Sequence, residues 1–414
     1  NLAYLRAVVQ HPTFREGRQV TRFLADFAYA PATIDVIEPG VQTSVQDWPG
    51  RLGHWDVGVP PSGPMDDRAH RAANALVGNT PDAAALEITL AGPVLRFNVA
   101  TTVAVTGAPA PLTLNGAVQF NDDHAFNKAL MKFEELVKKY YGKPINFVLH
   151  KNSELGLEKQ YFEYMAQGKA VDYGIVSPAH MSTFSKAAPF IDAPFLFRDL
   201  AHWNKVLDAD VLKPIADEVA KNAEVMLIGY AGGGTRNIFV NKPVRNLAEM
   251  KGLKVRVQGA PIWSRTFTSV GMTPTVIAYN EVYNAIQNGV INAGENEAAG
   301  VEAMKFYEVA PNILMTRHAI TIRPLCFSVK TLKKLPPDLQ AAIIKAGKEA
   351  GAYGREIESS EDQGKLDKYA KEGKLKQVPF AQRAEMQKLV DPVMAAYAKE
   401  VGADAIYAKI NSLK

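Results

Sequence analysis

Lysine is absent from residues 1–116, and all 30 lysines of the chain lie beyond them, whereas arginine falls on both sides, eight before residue 117 and nine after. One domain rarely partitions its cations so cleanly, so the chain is constrained to fold as two sequences of different origin joined near residue 117. The crossing, "TGAPAPLTLNGAVQF", is rich in small and turn residues, as a join would be. At 414 residues, 47% hydrophobic and 22% charged, there is material for two or three domains with real cores.

The first part divides again. Residues 1–32 read as a helical fragment, with apolar spacing through Leu2, Leu5, Val8 and Val9, then Phe23, Leu24 and Phe27. Residues 33–116 read as a truncated β-rich piece. "IDVIEPGVQTSVQDWPGRLGHWDVGVPPSGPMD" is dense in Gly and Pro, "RAHRAANALVGN" is a short helix closed by Gly78, and "LEITLAGPVLRFNVATTVAVTG" is strand-like. The second part alternates. "AVQF" and "INFVLH" read as strands around the amphipathic helix "AFNKALMKFEELVKKYY", followed by a helix ending at Gly168 and the strand "VDYGIV". That order implies an α/β fold with a mostly parallel sheet under helices. "PPDLQAAIIKAGKEAGAYGREIESSEDQGKLDKYAKEG" has room for two lengthy helices.

A formal net charge of +4 gives no support to nucleic-acid partners or a polybasic membrane role. A single cysteine, Cys326, removes internal disulfides and Cys-based metal clusters, and its apolar run reads as an inert core position. No run of about 18 apolar residues suggests membrane insertion. The opening "NLAYLRAVVQHPTF" lacks Met and a signal-peptide profile, so Asn1 is expected to be a trimmed or artificial start, with any export signal outside this chain. The eight histidines form no H-x-x-x-H pair, there is no G-x-S-x-G elbow, and nothing would activate a nucleophile; neither catalysis nor a cofactor is expected.

In "GLKVRVQGAPIWSRTF", Leu253, Val255 and Val257 alternate with Lys254, Arg256 and Gln258, the period of a half-buried strand. Arg256 therefore points away from the core, either into solvent or toward a carboxylate, which its planar fork binds with two parallel hydrogen bonds.

Five stretches carry a resemblance over residues 119–414: "DDHAFNKALMKFEELV", "NSELGLEKQYFEYMAQGKAVDYGIVSP", "APFLFRD", "GTRNIFVNKPVRNLAEMKGLKVRV" and "GMTPTVIAYNEVYNAIQNGVINAGENE". In this order they resemble the substrate-binding protein of TRAP transporters, which import organic acids across a bacterial inner membrane. Residues 1–116 are similar to urea carboxylase: the end of its biotin carboxylase part, then the start of its KipA-like carboxyltransferase part. With no lysine there to carry biotin, the rival reading, a urea-carboxylase-related enzyme fragment, is expected to be inactive.

The first resemblance implies a two-lobed periplasmic binding protein fold with a long connecting helix. Its lobes would be 117–233 with 322–361, and 234–321 with 362–414. It also implies a small organic acid ligand, membrane permease subunits as partners and a periplasmic location. Arg256 stands where the family keeps its carboxylate-binding arginine, Arg236 in "YAGGGTRNIF" where it keeps a second, and Asn296 in "GENE" where an amide reaches the ligand. Glu297 replaces the proline common at that point. Trp263 is either an apolar wall for the ligand or core. Ser177 and His180 after "DYGIV", His124 after "AVQF", and Tyr230 at the end of "VMLIGY" lie at strand ends, where open α/β sheets hold ligands.

Overall fold

In the computed structural model, the described residues are 2–29, 33–58, 62–89, 92–107 and 112–413. They form two compact units, Asn1–Ala110 and Pro111–Lys414.

Among its described residues the first unit has four α-helices, Leu2–Gln10, Pro12–Arg15, Phe23–Asp26 and Asp67–Leu76, and two separate antiparallel pairs. Strand β1 (Ile34–Glu38) pairs with β4 (Val94–Phe97), and β2 (Gln42–Gln46) with β3 (Ala85–Thr89). The helix Asp67–Leu76 starts where the Asp66 carboxylate accepts the Ala69 N–H. Among this unit's described residues, Val8 is the one buried apolar side chain; Ile34, Val36, Val45, Leu86 and Ile88 are exposed on the strands. A pair of two-stranded ribbons this bare is marginal on its own.

The second unit is built on one nine-stranded mixed sheet. Its strands are β5 (Leu112–Ala117), β6 (Ile145–His150), β7 (Tyr173–Ile175), β8 (Val225–Val240), β9 (Lys254–Val257), β10 (Thr273–Val276), β11 (Ala293–Asn296), β12 (Asn312–Ser328) and β13 (Lys376–Val378). The order is β10-β9-β11-β8-β12-β7-β5-β6, with β13 added on β12. The expected parallel pairings are present in β5–β6, β5–β7, β9–β10, β9–β11 and β12–β13, but β8 and β12 run antiparallel to each other and join the two halves. Five of the eight pairings are thus parallel, as expected, and the antiparallel pairs β8–β11, β8–β12 and β7–β12 make the sheet a mixed one. A strand repeat of alternating helices cannot reveal two 16- and 17-residue strands that cross the whole sheet.

Two further local readings change. The first strand of this unit is Leu112–Ala117, upstream of "AVQF" and inside the stretch read as a join. The two lengthy helices are one continuous helix, Pro337–Lys371. Its Gly347, Gly351 and Gly354 look like breaks in sequence but let the helix lie directly on β8: a Cβ on Gly351 would sit 2.6 Å from the Tyr230 amide nitrogen, and one on Gly229 would strike the Gly347 carbonyl. The core fills both faces, with Trp203, Trp263, Phe190 and Phe267 in one cluster and Phe133, Phe327, Leu339 and Ile343 in another.

Candidate functional site

The carboxyl ends of β5, β7, β9 and β11 converge on one cavity, where open parallel sheets place ligands. About 30 Å³ in volume, it is lined by Gln119, Phe120, Phe126, Glu158, Ser177, His180, Arg236, Arg256, Gln258, Tyr279, Asn296, Glu297 and Arg323. Of the eight residues singled out from sequence, Arg256, Arg236, Asn296, Ser177 and His180 are on that wall. Trp263, His124 and Tyr230 are not among the lining residues. Trp263 is fully buried beneath Arg236, whose guanidinium lies 5.4 Å from its ring centroid. His124 instead caps the helix Ala125–Tyr141: its Nδ1 accepts the Phe126 N–H and its ring stacks on Phe120 at 3.9 Å. Tyr230 packs against the main core.

Arg256 lies on β9 between the fully buried Val255 and Val257, and is itself only 5% exposed. Its Nε donates to the Ile277 carbonyl at 3.0 Å, and its guanidinium lies 5.3 Å from the centre of the Tyr279 ring. Among the described residues neither Nη group meets an acceptor or a carboxylate. Burial pulls its pKa down, with Glu295 and Tyr279 opposing. A buried cation in this condition is costly unless a negative group arrives.

Arg236 is the opposite case. Its Nε donates to Glu295 Oε2 at 2.5 Å, its Nη2 to Glu295 Oε1 at 2.9 Å and to the Glu295 carbonyl at 3.0 Å, and its Nη1 to Glu297. Burial opposes this charge, but Glu295 and Glu297 more than offset it and hold Arg236 above its ordinary value. Glu295 also feels burial, and Arg236 and His318 hold it down at about 2. Burial keeps His318 neutral; its Nε2–H then donates to Glu295 at 3.3 Å while Nδ1 accepts from the Thr316 hydroxyl at 2.8 Å. Arg236 thus forms the cavity wall with most of its donors already engaged.

Asn296 ends β11; its amide donates to the Tyr279 hydroxyl at 2.6 Å and its Oδ1 accepts the Glu297 N–H. Ser177 follows β7, and its hydroxyl donates to Gln258 Oε1 at 2.6 Å. His180 Nε2 lies 3.8 Å from Glu158 Oε2, and burial lowers the His180 pKa to about 3, so the imidazole is neutral. Glu158 opens the helix Glu158–Gln167 and accepts from Gln119 at 3.0 Å and from the Ser177 N–H at 2.6 Å; burial raises its pKa.

Sequence reasoning missed eight of the lining residues, among them Glu158, Gln258 and Arg323. Gln258 was within reach, being two residues beyond Arg256 on the same strand face. The one signal available for Arg323 was its position: a guanidinium inside the apolar run "IRPLCFSV" needs a partner, and its Nη1 meets Asp192 Oδ2 at 2.7 Å.

Behind the cavity, Asp362 on the long helix accepts the N–H groups of Thr235 and Ala298 at 2.9 and 3.0 Å, tying β8 to the start of the helix Ala298–Ala303. Burial raises its pKa from 3.8 to about 6. The folded chain holds this proton to higher pH than the unfolded chain does. Its contribution to stability is therefore full below about pH 4 and lost as pH rises through about 6. Asp362→Asn should change the slope of unfolding midpoint against pH over that window by about one proton; a slope identical to the unmodified chain would contradict this assignment.

The cavity at these strand ends thus carries three arginines, two of them already matched by buried carboxylates and one, Arg256, not. Residues 116–400 match "Bacterial extracellular solute-binding protein, family 7" (DctP), and the chain belongs to that family. A solute-binding protein of Sulfitobacter sp. (strain NAS-14.1) is 50% identical over 305 residues, 74% of this chain and 92% of that protein. A TRAP periplasmic solute-binding protein structure from Sulfitobacter, with bound α-D-taluronate, superposes with TM-score 0.71 at 49% identity, covering 72% of this chain and 97% of that one. Another, from Roseobacter denitrificans with bound L-galactonate, gives TM-score 0.67 at 25% identity, covering 73% and 99%.

Residues 57–131 match "Carboxyltransferase domain, subdomain A and B". Urea amidolyase of Saccharomyces cerevisiae is 43% identical over 116 residues, 28% of this chain, and the chain spans 6% of that relative's length. No helix among the described residues is long and apolar enough to cross a membrane.

Proposed function

We propose that residues 117–414 bind an organic acid in the periplasm as the solute receptor of a TRAP transporter and pass it to membrane permease subunits. The observation that carries this reading is Arg256, buried in the cavity wall with both Nη groups unspent among the described residues. A carboxylate there gains two parallel charge-assisted hydrogen bonds in a site of low dielectric. The relatives that hold a uronate and an aldonate support an acid as the solute.

In this reading the two lobes are 117–233 with 322–361 and 234–321 with 362–414, and they part to admit the acid. A cavity of about 30 Å³ has room for roughly two waters. Arg256 and Asn296 come from one lobe, Ser177, His180 and Arg323 from the other, so a bound acid favours the closed form by bonding to both.

A thermal-shift screen with mono- and dicarboxylates, keto acids and sugar acids tests it. An acid at about 100 times its Kd should add roughly 2.7 kcal/mol of stability, a rise of several degrees in Tm. No shift with any acid of the panel would remove the reading. The urea-amidolyase-like segment supports a second reading, a carboxylase-derived enzyme piece; ATP- and bicarbonate-dependent urea carboxylation is its assay, and none is expected.

A further inference from the structure

The cavity offers more hydrogen-bond donors than one carboxylate can take. Beyond the two Nη groups of Arg256, Gln258 Nε2 is buried and has no partner among the described residues. Its Oε1 receives the Ser177 hydroxyl at 2.6 Å, which leaves the NH₂ end as the free one. Arg323 spends Nη1 on Asp192 Oδ2 and on the Ile322 carbonyl, at 2.7 and 2.9 Å, while its Nε and Nη2 meet no acceptor among the described residues. A carboxylate has about four acceptor positions. Four N–H of Arg256, three of Arg323 and two of Gln258 stand against them, so the acid must bring further oxygens.

Charge decides what kind of oxygen. Asp192 already neutralises Arg323, and Glu158, whose carboxylate lies on the same wall, would repel a second anion. Hydroxyl oxygens satisfy all three groups at once, accepting from Gln258 and Arg323 and donating to Glu158.

We infer that Gln258 and Arg323 are specificity-determining residues that read the hydroxyls of a polyhydroxylated monocarboxylic acid, selecting it over unsubstituted acids and over diacids. This rests on the Arg256 reading above.

Calorimetry on the full chain with galactonate, hexanoate and galactarate is the test. All three carry six carbons, but hexanoate lacks hydroxyls and galactarate has a carboxylate at each end. Galactonate should bind at least ~100-fold tighter than hexanoate, since buried donors left unpaired penalise the bare acid. It should bind at least ~10-fold tighter than galactarate, through like-charge repulsion. Gln258→Leu should weaken galactonate by about 10- to 100-fold and leave hexanoate level or tighter.

Equal affinities for galactonate and hexanoate would overturn the inference, as would galactarate binding as tightly as galactonate or a Gln258→Leu loss shared equally by both acids. The three-acid comparison on the unmodified chain stands however that variant folds. Binding of none of the three would overturn the inference and, joined to a panel-wide absence of thermal shift, the acid-receptor reading as well, whereas equal binding overturns the hydroxyl readers alone.

Discussion

Arg256→Met abolishes acid binding and leaves the ligand-free protein as stable as before, or more so. The expected loss is about 3–5 kcal/mol, some hundred- to several-thousand-fold in Kd, because the substitution removes the partner of a buried carboxylate. Without ligand the balance reverses. The arginine is buried, its Nη groups are unmatched among the described residues, and burial already works against its charge. Methionine keeps the length of the side chain, fills the space beside Tyr279 and carries no desolvation penalty. Calorimetry and thermal melts on the same preparation separate the two effects. Undiminished affinity would refute the site; lost affinity with a Tm lowered by many degrees would mean that Arg256 is a structural residue instead.

Arg236→Met produces the reverse pattern. Here the guanidinium is tied to Glu295 and Glu297, all three buried, with His318 and Thr321 completing the network. Removing the cation strands two buried carboxylates, at a cost of about 3–5 kcal/mol, and lowers the ligand-free Tm on the order of 10 °C. Adding Glu295→Gln and Glu297→Gln to the variant should recover much of the loss, since the stranded charge rather than the missing contact dominates it. A ligand-free Tm unchanged by Arg236→Met would show that the network carries no stability. The two arginines, 20 residues apart in sequence and on the wall of one cavity, are thus distinguished by what already occupies their donors.

That distinction was invisible in the sequence, where both were arginines at positions the resemblance gives to the ligand. What was legible there came from period and punctuation: β9 and its outward Arg256, the helix Ala125–Tyr141 with its buried Phe133, Leu136 and Val137, and the stop at Gly168, which takes a left-handed conformation. The β8–β12 crossing was not, because pairing between residues as distant as Val240 and Asn312 or Val225 and Ser328 leaves no local trace. Trp263 shows the limit from the other side. Placed just after the Arg256 strand it could have been wall or core, and only packing against Arg236 and His318 decides for core. Three of the missed polar residues share a cause: each matters through what it lacks or shares in three dimensions, an unspent amide on Gln258, an Asp192 partner for Arg323, a Ser177 amide on Glu158.

The glycine strip of the long helix has a mechanical consequence. Where Gly351 lies against the Tyr230 backbone and Gly229 against the Gly347 carbonyl, helix and strand meet backbone to backbone, while Gly347 also takes the Ile228 side chain and Gly354 the Ala231 methyl at close range. Such a contact behaves as a weld rather than a bearing. Any breathing of the cleft must then be absorbed elsewhere, and the register shifts of β12 against β8, at Leu314/Ala319, Ile320/Ile322 and Leu325/Cys326, are the places where the crossing ribbon is already uncoupled enough to flex.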